Sequence, residues 1–384
     1  MTPRPPILVM IPYGVTIGFA IGRLVSVFYE MALAATGEES SVHFAFSNLE
    51  GGRAAGLPAG FANLVAFHPR EYTPQSLEEL LTYVRRHRVT TVFALDLPVA
   101  ARFLGQLRSA GVRTVVSYWG APMSSINYGL KRVAKRIEVR LFRPHQPDHY
   151  IFESRAMQDL AVRGRGLPAT KTSVIPTGVD ARRFRPRPEV AGTVRRRFGL
   201  PPESKIIVFM GHLHERKGVQ VLLEALALIR TQHQRMDIHG LFLGNRPGEA
   251  EPFAGLIEAA GEAATIGGYH DDIPDLLAGC YAGCIPSTGW DSFPMSSLEM
   301  QACGLPVLVS DLQGVPETID PGFTGIVTPA GVPGRLADAI LGLVDDPEKR
   351  EAMSAAARAR IERGFTREHQ VRNLTTQLGR LVGR

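Results

Sequence analysis

Short apolar runs alternate with helical patterns along most of the chain. The first run, 7–11, is bounded by prolines and holds no polar residue, as expected of a strand that is buried on both faces. The same pattern predicts further strands at 42–46, 89–95, 112–117, 149–152, 205–210, 241–244, 265–269, 284–285 and 306–310. Strands that alternate with helices pair in parallel, so the chain is predicted to be an α/β protein with doubly wound sheets.

The domain organisation follows from length and from one linker. A length of 384 residues exceeds what one ordinary core holds, so two domains are expected. A proline-rich, basic stretch that ends at Arg197 separates the two halves. It predicts a first domain over 1–183 and a second over 184–365, and the helical pattern over 366–384 predicts a C-terminal helix.

Composition narrows the classes of partner. A hydrophobic share of 45% with 21% charged residues is typical of a soluble globular protein rather than a disordered one. The net charge of +6 is mild for this length. It suits anionic nucleotides or an acidic membrane surface, and no nucleic-acid partner is expected from it.

The cysteines indicate the compartment. Only Cys280, Cys284 and Cys303 occur, and such a sparse, odd set favours a reducing compartment, so a cytoplasmic location is expected. No His or Cys cluster completes a zinc site around them, and no metal is expected there. The N-terminal apolar run is too short for a signal segment, and no run of about 18 apolar residues occurs, so neither secretion nor a membrane span is expected.

A basic helix is predicted at 130–143. It carries six basic residues and one Glu, while Leu130, Val133, Ile137 and Leu141 recur at helical spacing. Two interpretations stay open. The helix could lie in the plane of an anionic lipid surface, which would make the protein peripheral at the inner membrane face. Alternatively, it is a solvated charged helix that packs on its own domain.

The most informative stretch runs from 284 to 317 and reads as strand, loop, helix, strand. In such a unit, the helix N-terminus lies at the carboxyl edge of the sheet, where free N–H groups favour an anion such as phosphate. Here that N-terminus is formed by Met295, Ser296, Ser297 and Leu298. The carboxylates Asp291 and Glu299 are eight positions apart, and beside a phosphate site they fit ligand hydroxyl groups.

This stretch resembles the donor-binding signature of the retaining family 4 glycosyltransferases of the GT-B fold. The matching positions are Asp291, Phe293, Pro294, Ser296, Glu299, Ala302, Gly304, Pro306, Gly314 and Glu317. The family pattern normally begins with Glu, so Asp291 is one methylene shorter. The resemblance implies two Rossmann-like domains that face a central cleft, with acceptor on the first, donor on the second, and a C-terminal helix that crosses back to the first.

The resemblance also implies roles on the donor side. Glu299 would hold ribose hydroxyls, Asp291 the donor sugar, and Lys217 the leaving diphosphate; Lys217 and Asp291 are thus the candidate catalytic residues. The family usually has an Arg after the first glycine of the loop 211–218. This chain has His212 there and Arg216 further on, and either could substitute.

Three aromatic residues and one glycine complete the candidate site. Main-chain groups near Tyr269 would hold the base. Gly14, in the first strand-to-helix loop, either lies under the donor phosphates or packs a small helix face on the sheet. The family often has a His near the reacting sugar, where this chain has Tyr118 and Trp119. Trp119 is either an acceptor-stacking surface or a packed aromatic.

The function implied is a retaining, metal-independent transfer of a hexosyl group in carbohydrate biosynthesis. The donor would be a nucleotide sugar and the acceptor a glycan, a lipid-linked compound or a small molecule. No Asp-x-Asp pair occurs in the chain, which fits chemistry without a metal or other cofactor. Two alternatives stay open: a nucleotide-sugar-binding partner subunit without catalysis, and a GT-B-like epimerase or phosphorylase.

Overall fold

The computed structural model describes residues 5–16, 18–52, 54–123, 129–141 and 145–383. Its chain forms two compact units. Unit 1 comprises Met1–Pro176 with Glu368–Arg384, and unit 2 comprises Thr177–Arg367. Among the described residues, no helix has the length and apolar character needed to cross a membrane.

Unit 1 is built on a parallel sheet of seven strands. The strands are β1 Ile7–Ile11, β2 Val42–Phe46, β3 Leu64–Ala66, β4 Thr91–Leu95, β5 Thr114–Trp119, β6 His149–Phe152 and β7 Thr172–Val174. Their order is β3-β2-β1-β4-β5-β6-β7, and every pair is parallel. The helices are α1 Phe19–Thr36, α2 Pro74–Arg86, α3 Phe103–Ser109, α4 Gly129–Leu141 and α5 Arg155–Asp159.

Unit 2 repeats the plan with six parallel strands. These are β8 Lys205–Met210, β9 Ile238–Leu243, β10 Ala264–Gly268, β11 Ala282–Ile285, β12 Val307–Ser310 and β13 Gly325–Thr328, in the order β10-β9-β8-β11-β12-β13. The helices are α6 Thr193–Phe198, α7 Val219–His233, α8 Ala254–Ala260, α9 Ile273–Leu277, α10 Met295–Ala302, α11 Pro333–Val344, α12 Pro347–Gly364 and α13 Arg367–Val382, the last belonging almost wholly to unit 1. The predicted α/β class with doubly wound sheets is confirmed.

Burial explains why the apolar runs form the central strands. All residues of β1, β2 and β4 are buried, because helices cover both faces of a parallel sheet. Leu374 and Leu378 of α13 are buried in the same core as Phe28 and Phe93. This apolar contact attaches the C-terminal helix to unit 1.

The division between the units lies earlier in the chain than the predicted boundary at 183/184. Val179 forms a parallel β-bridge with Thr366, and Phe184 is buried in the core of unit 2. The residues just after Pro176 therefore belong to unit 2, although the proline-rich linker that follows them suggested a later boundary.

Candidate active site

The strand order of unit 2 reverses between β8 and β11, so the loops that follow these strands border one crevice at the carboxyl edge of the sheet. Hydrogen bonds join the two loops. The backbone N–H groups of Thr288 and Gly289 both donate to the Arg216 carbonyl over 2.9 Å. The Thr288 hydroxyl donates to the Glu215 carbonyl over 2.8 Å. These hydrogen bonds hold the two loops that border the crevice in fixed positions relative to each other.

Gly218 lets these loops approach each other closely. Its φ of 74° lies in the left-handed region, and a Cβ atom there would be 1.8 Å from the Pro286 carbonyl oxygen. Any other residue would push the loops apart. Gly218 directly precedes α7 and contacts the loop after β11. It therefore sets the position of the neighbouring Lys217 relative to that loop.

The two predicted catalytic residues are in contact. Lys217 Nζ lies 2.7 Å from Asp291 Oδ2, and the side chains are 24% and 7% exposed. Asp291 Oδ2 also accepts from the Ser287 hydroxyl over 2.9 Å, and the Asp291 backbone N–H donates to Gln313 Oε1 over 3.2 Å. A buried carboxylate thus holds a partly exposed ammonium group at the crevice. Sequence reasoning missed Ser287 and Gln313, which position this carboxylate.

The two candidates for the missing family Arg have different partners, and the choice between them stays a prediction. His212 Nδ1 lies 2.8 Å from Glu249 Oε1, so its ring is engaged by a carboxylate outside the crevice loops. The Arg216 guanidinium lies 4.3 Å from the centroid of the Trp290 ring and donates to the Trp290 carbonyl over 3.3 Å. Among the described residues, Arg216 has no acidic partner, which leaves its charge available for an anion.

Helix α10 begins at Met295 without a side-chain cap, so its first N–H groups need other partners. Of the four residues predicted to bind phosphate, Met295 and Ser296 keep this capacity. The Ser297 N–H already donates to the Pro294 carbonyl over 3.1 Å, and its hydroxyl donates to Thr318 Oγ1 over 2.9 Å. The Leu298 N–H lies within the helical hydrogen-bond ladder and its side chain is in the core. The expected contribution of Ser297 and Leu298 is therefore corrected to support of the helix.

Glu299 and Tyr269 occupy different parts of unit 2. Glu299 is buried on α10, one turn beyond its start, so it is not a solvated surface carboxylate. Tyr269 is exposed directly after β10. The Asn245 side chain accepts from the Gly268 N–H over 2.9 Å, which ties the ends of β9 and β10 together at the same edge as the crevice. Roles in holding ribose and base stay predictions.

The remaining predicted residues lie in unit 1. Gly14 follows β1, and a Cβ atom on it would be 2.7 Å from Asn48 Oδ1, so a close approach within unit 1 already accounts for the glycine. Tyr118 is fully buried and Trp119 is nearly so. The Tyr118 hydroxyl is 3.4 Å from Glu153 Oε1. Both rings are core residues, and the prediction that they bind the acceptor is corrected accordingly.

Two family models match the chain, one to each half. The model described as Glycosyltransferase Family 4 matches residues 25–183, and the model described as Glycosyl transferases group 1 matches residues 191–360. The chain belongs to glycosyltransferase family 4. The predicted family membership is thereby confirmed.

Curated relatives of this family 4 member are moderately similar. A D-inositol 3-phosphate glycosyltransferase of Corynebacterium jeikeium is 33% identical over 52% of this chain and 50% of the relative. A GDP-mannose-dependent monoacylated alpha-(1-6)-phosphatidylinositol monomannoside mannosyltransferase of Corynebacterium glutamicum is 30% identical over 53% of this chain and 55% of the relative. The chain thus spans about half the length of the curated relatives it matches.

Solved structures show the same fold. Anabaena Alr3699/HepE in complex with UDP has a TM-score of 0.77 and 19% identity, over 98% of this chain and 100% of that one. A glycosyltransferase from Rickettsia africae ESF-5 has a TM-score of 0.81 and 16% identity, over 98% and 99%. The fold of this family 4 member is GT-B, as predicted.

Proposed function

We propose that the protein is a retaining glycosyltransferase that moves a hexosyl group from a nucleoside diphosphate sugar to an acceptor hydroxyl. One observation carries the proposal: Lys217 Nζ stands 2.7 Å from the buried Asp291 carboxylate at the strand-order switch of unit 2. A fixed cation and uncapped helix N–H groups beside one crevice fit a diphosphate. The curated relatives, whose names specify glycosyl transfer, support the same class of reaction.

Each of these protein groups has a role in the proposed transfer reaction. The bond between the anomeric carbon and the diphosphate breaks, and negative charge grows on the departing oxygen. Lys217, Arg216 and the first N–H groups of α10 stabilise that charge from positions that the fold already sets, and such preorganised stabilisation is usually the largest single contribution to catalysis. The acceptor oxygen forms its bond on the same face, and its proton passes to the departing phosphate. Asp291 and Glu299 hold hydroxyl groups of the sugar and the ribose.

The names of the relatives suggest which donor and acceptor to assay first. UDP-glucose and GDP-mannose are the first donors to assay, because UDP is bound to a structural neighbour and GDP-mannose is named for a relative. Inositol 3-phosphate is the first acceptor, since a relative is named for it. A product that forms only with both substrates and retains the donor's anomeric configuration supports transfer. Epimerised donor without acceptor-dependent product would indicate an epimerase, and binding without turnover would indicate a partner subunit.

We further propose that turnover needs no divalent metal, because Lys217, Arg216 and the α10 N–H groups supply positive charge at the diphosphate. Activity is expected to stay within about twofold of its starting value after chelator treatment, since protein groups provide electrostatic stabilisation here. The measurement is initial rate with and without chelator at fixed ionic strength. Complete loss, restored by added magnesium or manganese, contradicts this part of the account.

We also propose that α4 attaches the protein to an anionic membrane surface. Leu130, Val133, Ile137 and Leu141 are 88%, 53%, 50% and 71% exposed. At 100° per residue they form one stripe. Val139 is buried against the core of unit 1 on the opposite face, and the four side chains of the apolar stripe stay at least half exposed. Phe142 and Arg143 of the predicted helix lie outside the described residues.

Unpaired arginines flank the stripe. Glu138 pairs with Lys135 over 2.7 Å and with Arg165 over 3.0 Å. Within the described ranges, Arg136 and Arg140 have no acidic partner. They line a cavity of about 470 Å³ together with Val133 and Ile137. Apolar side chains beside free guanidinium groups fit acyl chains and lipid phosphates.

The double substitution Val133→Asp/Ile137→Asp is expected to reduce binding to phosphatidylglycerol vesicles at least tenfold, because charged side chains cannot enter the acyl region. Co-sedimentation with these vesicles and with phosphatidylcholine vesicles measures the effect. Phe323→Asp, at an apolar position of unit 2 that is 73% exposed, is the control and should bind as the wild type does. Equal binding by all three proteins would refute membrane contact through α4.

A further inference from the structure

A buried aspartate stands at the strand-order switch of unit 1. The order of its sheet reverses between β1 and β4, so the loops after these strands border a second crevice. Asp96 is the first residue past β4 and is only 9% exposed. Its φ of 48° lies in the left-handed region, which side-chain-bearing residues seldom adopt. Strained backbone of this kind concentrates at functional sites.

The Asp96 carboxylate keeps some hydrogen-bonding capacity. Its Oδ1 accepts from the Gly120 N–H over 3.0 Å, and the Ala121 N–H also hydrogen-bonds to it. An ionised carboxylate can accept about four hydrogen bonds, so room remains for a ligand. Burial raises the pKa of Asp96 to about 6, although the bonds from Gly120 and Ala121 and the charge of Arg70 oppose the rise. The folded protein therefore holds a charge at neutral pH that its surroundings disfavour.

Two further groups share this crevice. Tyr13 follows β1 and is exposed; burial and the Asp96 charge raise its pKa, and the Arg70 charge lowers it, so all three groups lie close together. Arg70 Nη2 donates to the main-chain carbonyl of Asp96 over 3.2 Å. The Arg70 side chain has no carboxylate at ion-pair distance in the part of the chain that the structure describes. The buried Glu153 lies behind Gly120, where it contacts Tyr118.

A purely structural aspartate of the same sheet looks different. Asp148, just before β6, lies at the amino edge, where its Oδ2 accepts from the Val115 N–H over 2.8 Å. Arg108 neutralises it over 3.0 Å. Asp148 thus joins neighbouring strands and is paired with a cation. Asp96 also accepts hydrogen bonds from a neighbouring loop, but it lies at the carboxyl edge of the sheet and has no direct ion pair among the described residues.

We propose that the crevice of Tyr13, Arg70 and Asp96 is the acceptor site and that it takes a polyol phosphate or sugar phosphate. The hydroxyl groups of such a ligand donate to the ionised Asp96, and its phosphate binds the Arg70 guanidinium, whose fork of donors matches phosphate oxygens. The proposal rests on the proposed function, because a transferase requires a second substrate. It assigns that substrate a chemical class.

The test is calorimetric titration of the full chain with inositol 3-phosphate, free inositol and inorganic phosphate, with UDP titrated separately. The wild type should bind inositol 3-phosphate more tightly than either fragment. Asp96→Asn should weaken that binding about tenfold, as loss of a charge-assisted hydrogen bond does, and leave UDP affinity unchanged. Asp148→Asn is the matched control: it should lower the melting temperature without changing either affinity.

The pH dependence of ligand affinity distinguishes a binding role of Asp96 from a structural one, because a purely structural role would not change it. Below about pH 6 Asp96 takes up a proton, so the affinity advantage of the wild type over Asp96→Asn should disappear between pH 7 and 5. The titration of the ligand phosphate is common to both proteins and cancels in the comparison. The folded-state pKa is raised above its ordinary value, so ionisation of Asp96 disfavours the folded state as pH rises. Asp96→Asn should therefore melt no lower than the wild type at pH 7.5.

Arg70→Ala, at an exposed position, provides a second variant. It should lower the affinity for inositol 3-phosphate to that for free inositol. Unchanged affinity in both Asp96→Asn and Arg70→Ala would overturn the proposal. Failure of a UDP-binding wild type to bind either inositol 3-phosphate or glucose 6-phosphate, the latter titrated in the same way as a sugar phosphate, would also overturn it. These results would leave the donor site intact. A wild type that binds no nucleoside diphosphate and hydrolyses no donor would instead contradict the proposed function itself.

Discussion

Lys217→Ala is expected to lower the turnover number about a hundredfold at saturating donor, because the variant loses one preorganised cation at the departing diphosphate. The substitution also leaves the buried Asp291 carboxylate without its partner at 2.7 Å. A loss of folding stability of about 1 to 3 kcal/mol should accompany the kinetic effect. Steady-state kinetics and thermal melting of the same preparation measure both.

Two further variants separate catalysis from stability. Lys217→Ala/Asp291→Asn removes the uncompensated charge, so it should recover part of the melting temperature without recovering turnover. Lys205→Ala serves as the control, since Lys205 begins β8 at the opposite edge of the sheet and contacts Tyr281. It should keep wild-type turnover. If Lys217→Ala retained wild-type turnover at saturating donor, Lys217 would have no part in stabilising the leaving group.

Glu299→Gln is expected to weaken binding of the nucleoside diphosphate at least tenfold. An ionised carboxylate accepts hydrogen bonds from two ribose hydroxyls, each contributing about 1.5 to 3 kcal/mol, whereas the amide turns one acceptor into a donor. Since Glu299 is buried, a structural role is the competing explanation, and it predicts lower stability with unchanged affinity. Calorimetry and thermal melting on the same protein distinguish the two.

Glu258→Gln is the matched control, because Glu258 is an exposed glutamate on α8 of the same unit. Its nucleotide affinity and melting temperature should both equal those of the wild type, as is usual for a surface substitution. Equal nucleotide affinity of Glu299→Gln and the wild type would refute the ribose role of Glu299. It would also weaken the assignment of the whole donor site.

The central strands were predictable, whereas the short outer ones were not. Strands such as β1 and β8 are buried on both faces and appear in the sequence as unbroken apolar runs. β3 and β7 lie at the sheet edges and each have only three residues, none of them buried, and so few residues give no detectable pattern. β5 extends to Trp119, two residues past the predicted end at 117. That error placed Tyr118 and Trp119 in a loop, when they belong to a buried strand.

The site was predictable in its residue types and in its position at strand ends, but not in its contacts. Lys217 and Asp291 are 74 positions apart, and only the strand order, with β8 beside β11, brings them together. Ser297 looked available at a helix N-terminus, yet its hydroxyl is used by Thr318. Asp96 directly follows a predicted apolar strand at the carboxyl edge. This position was the available signal, but the burial and backbone strain that distinguish Asp96 require the folded chain.

The central claim is that unit 2 binds a nucleoside diphosphate at the crevice between the loops after β8 and β11. The most direct measurement is a crystal structure of the protein with bound UDP or GDP. The account predicts phosphate oxygens within about 3 Å of Lys217 Nζ and of the Met295 and Ser296 N–H groups. A diphosphate bound elsewhere, with no phosphate oxygen near Lys217 Nζ or at the start of α10, would contradict it.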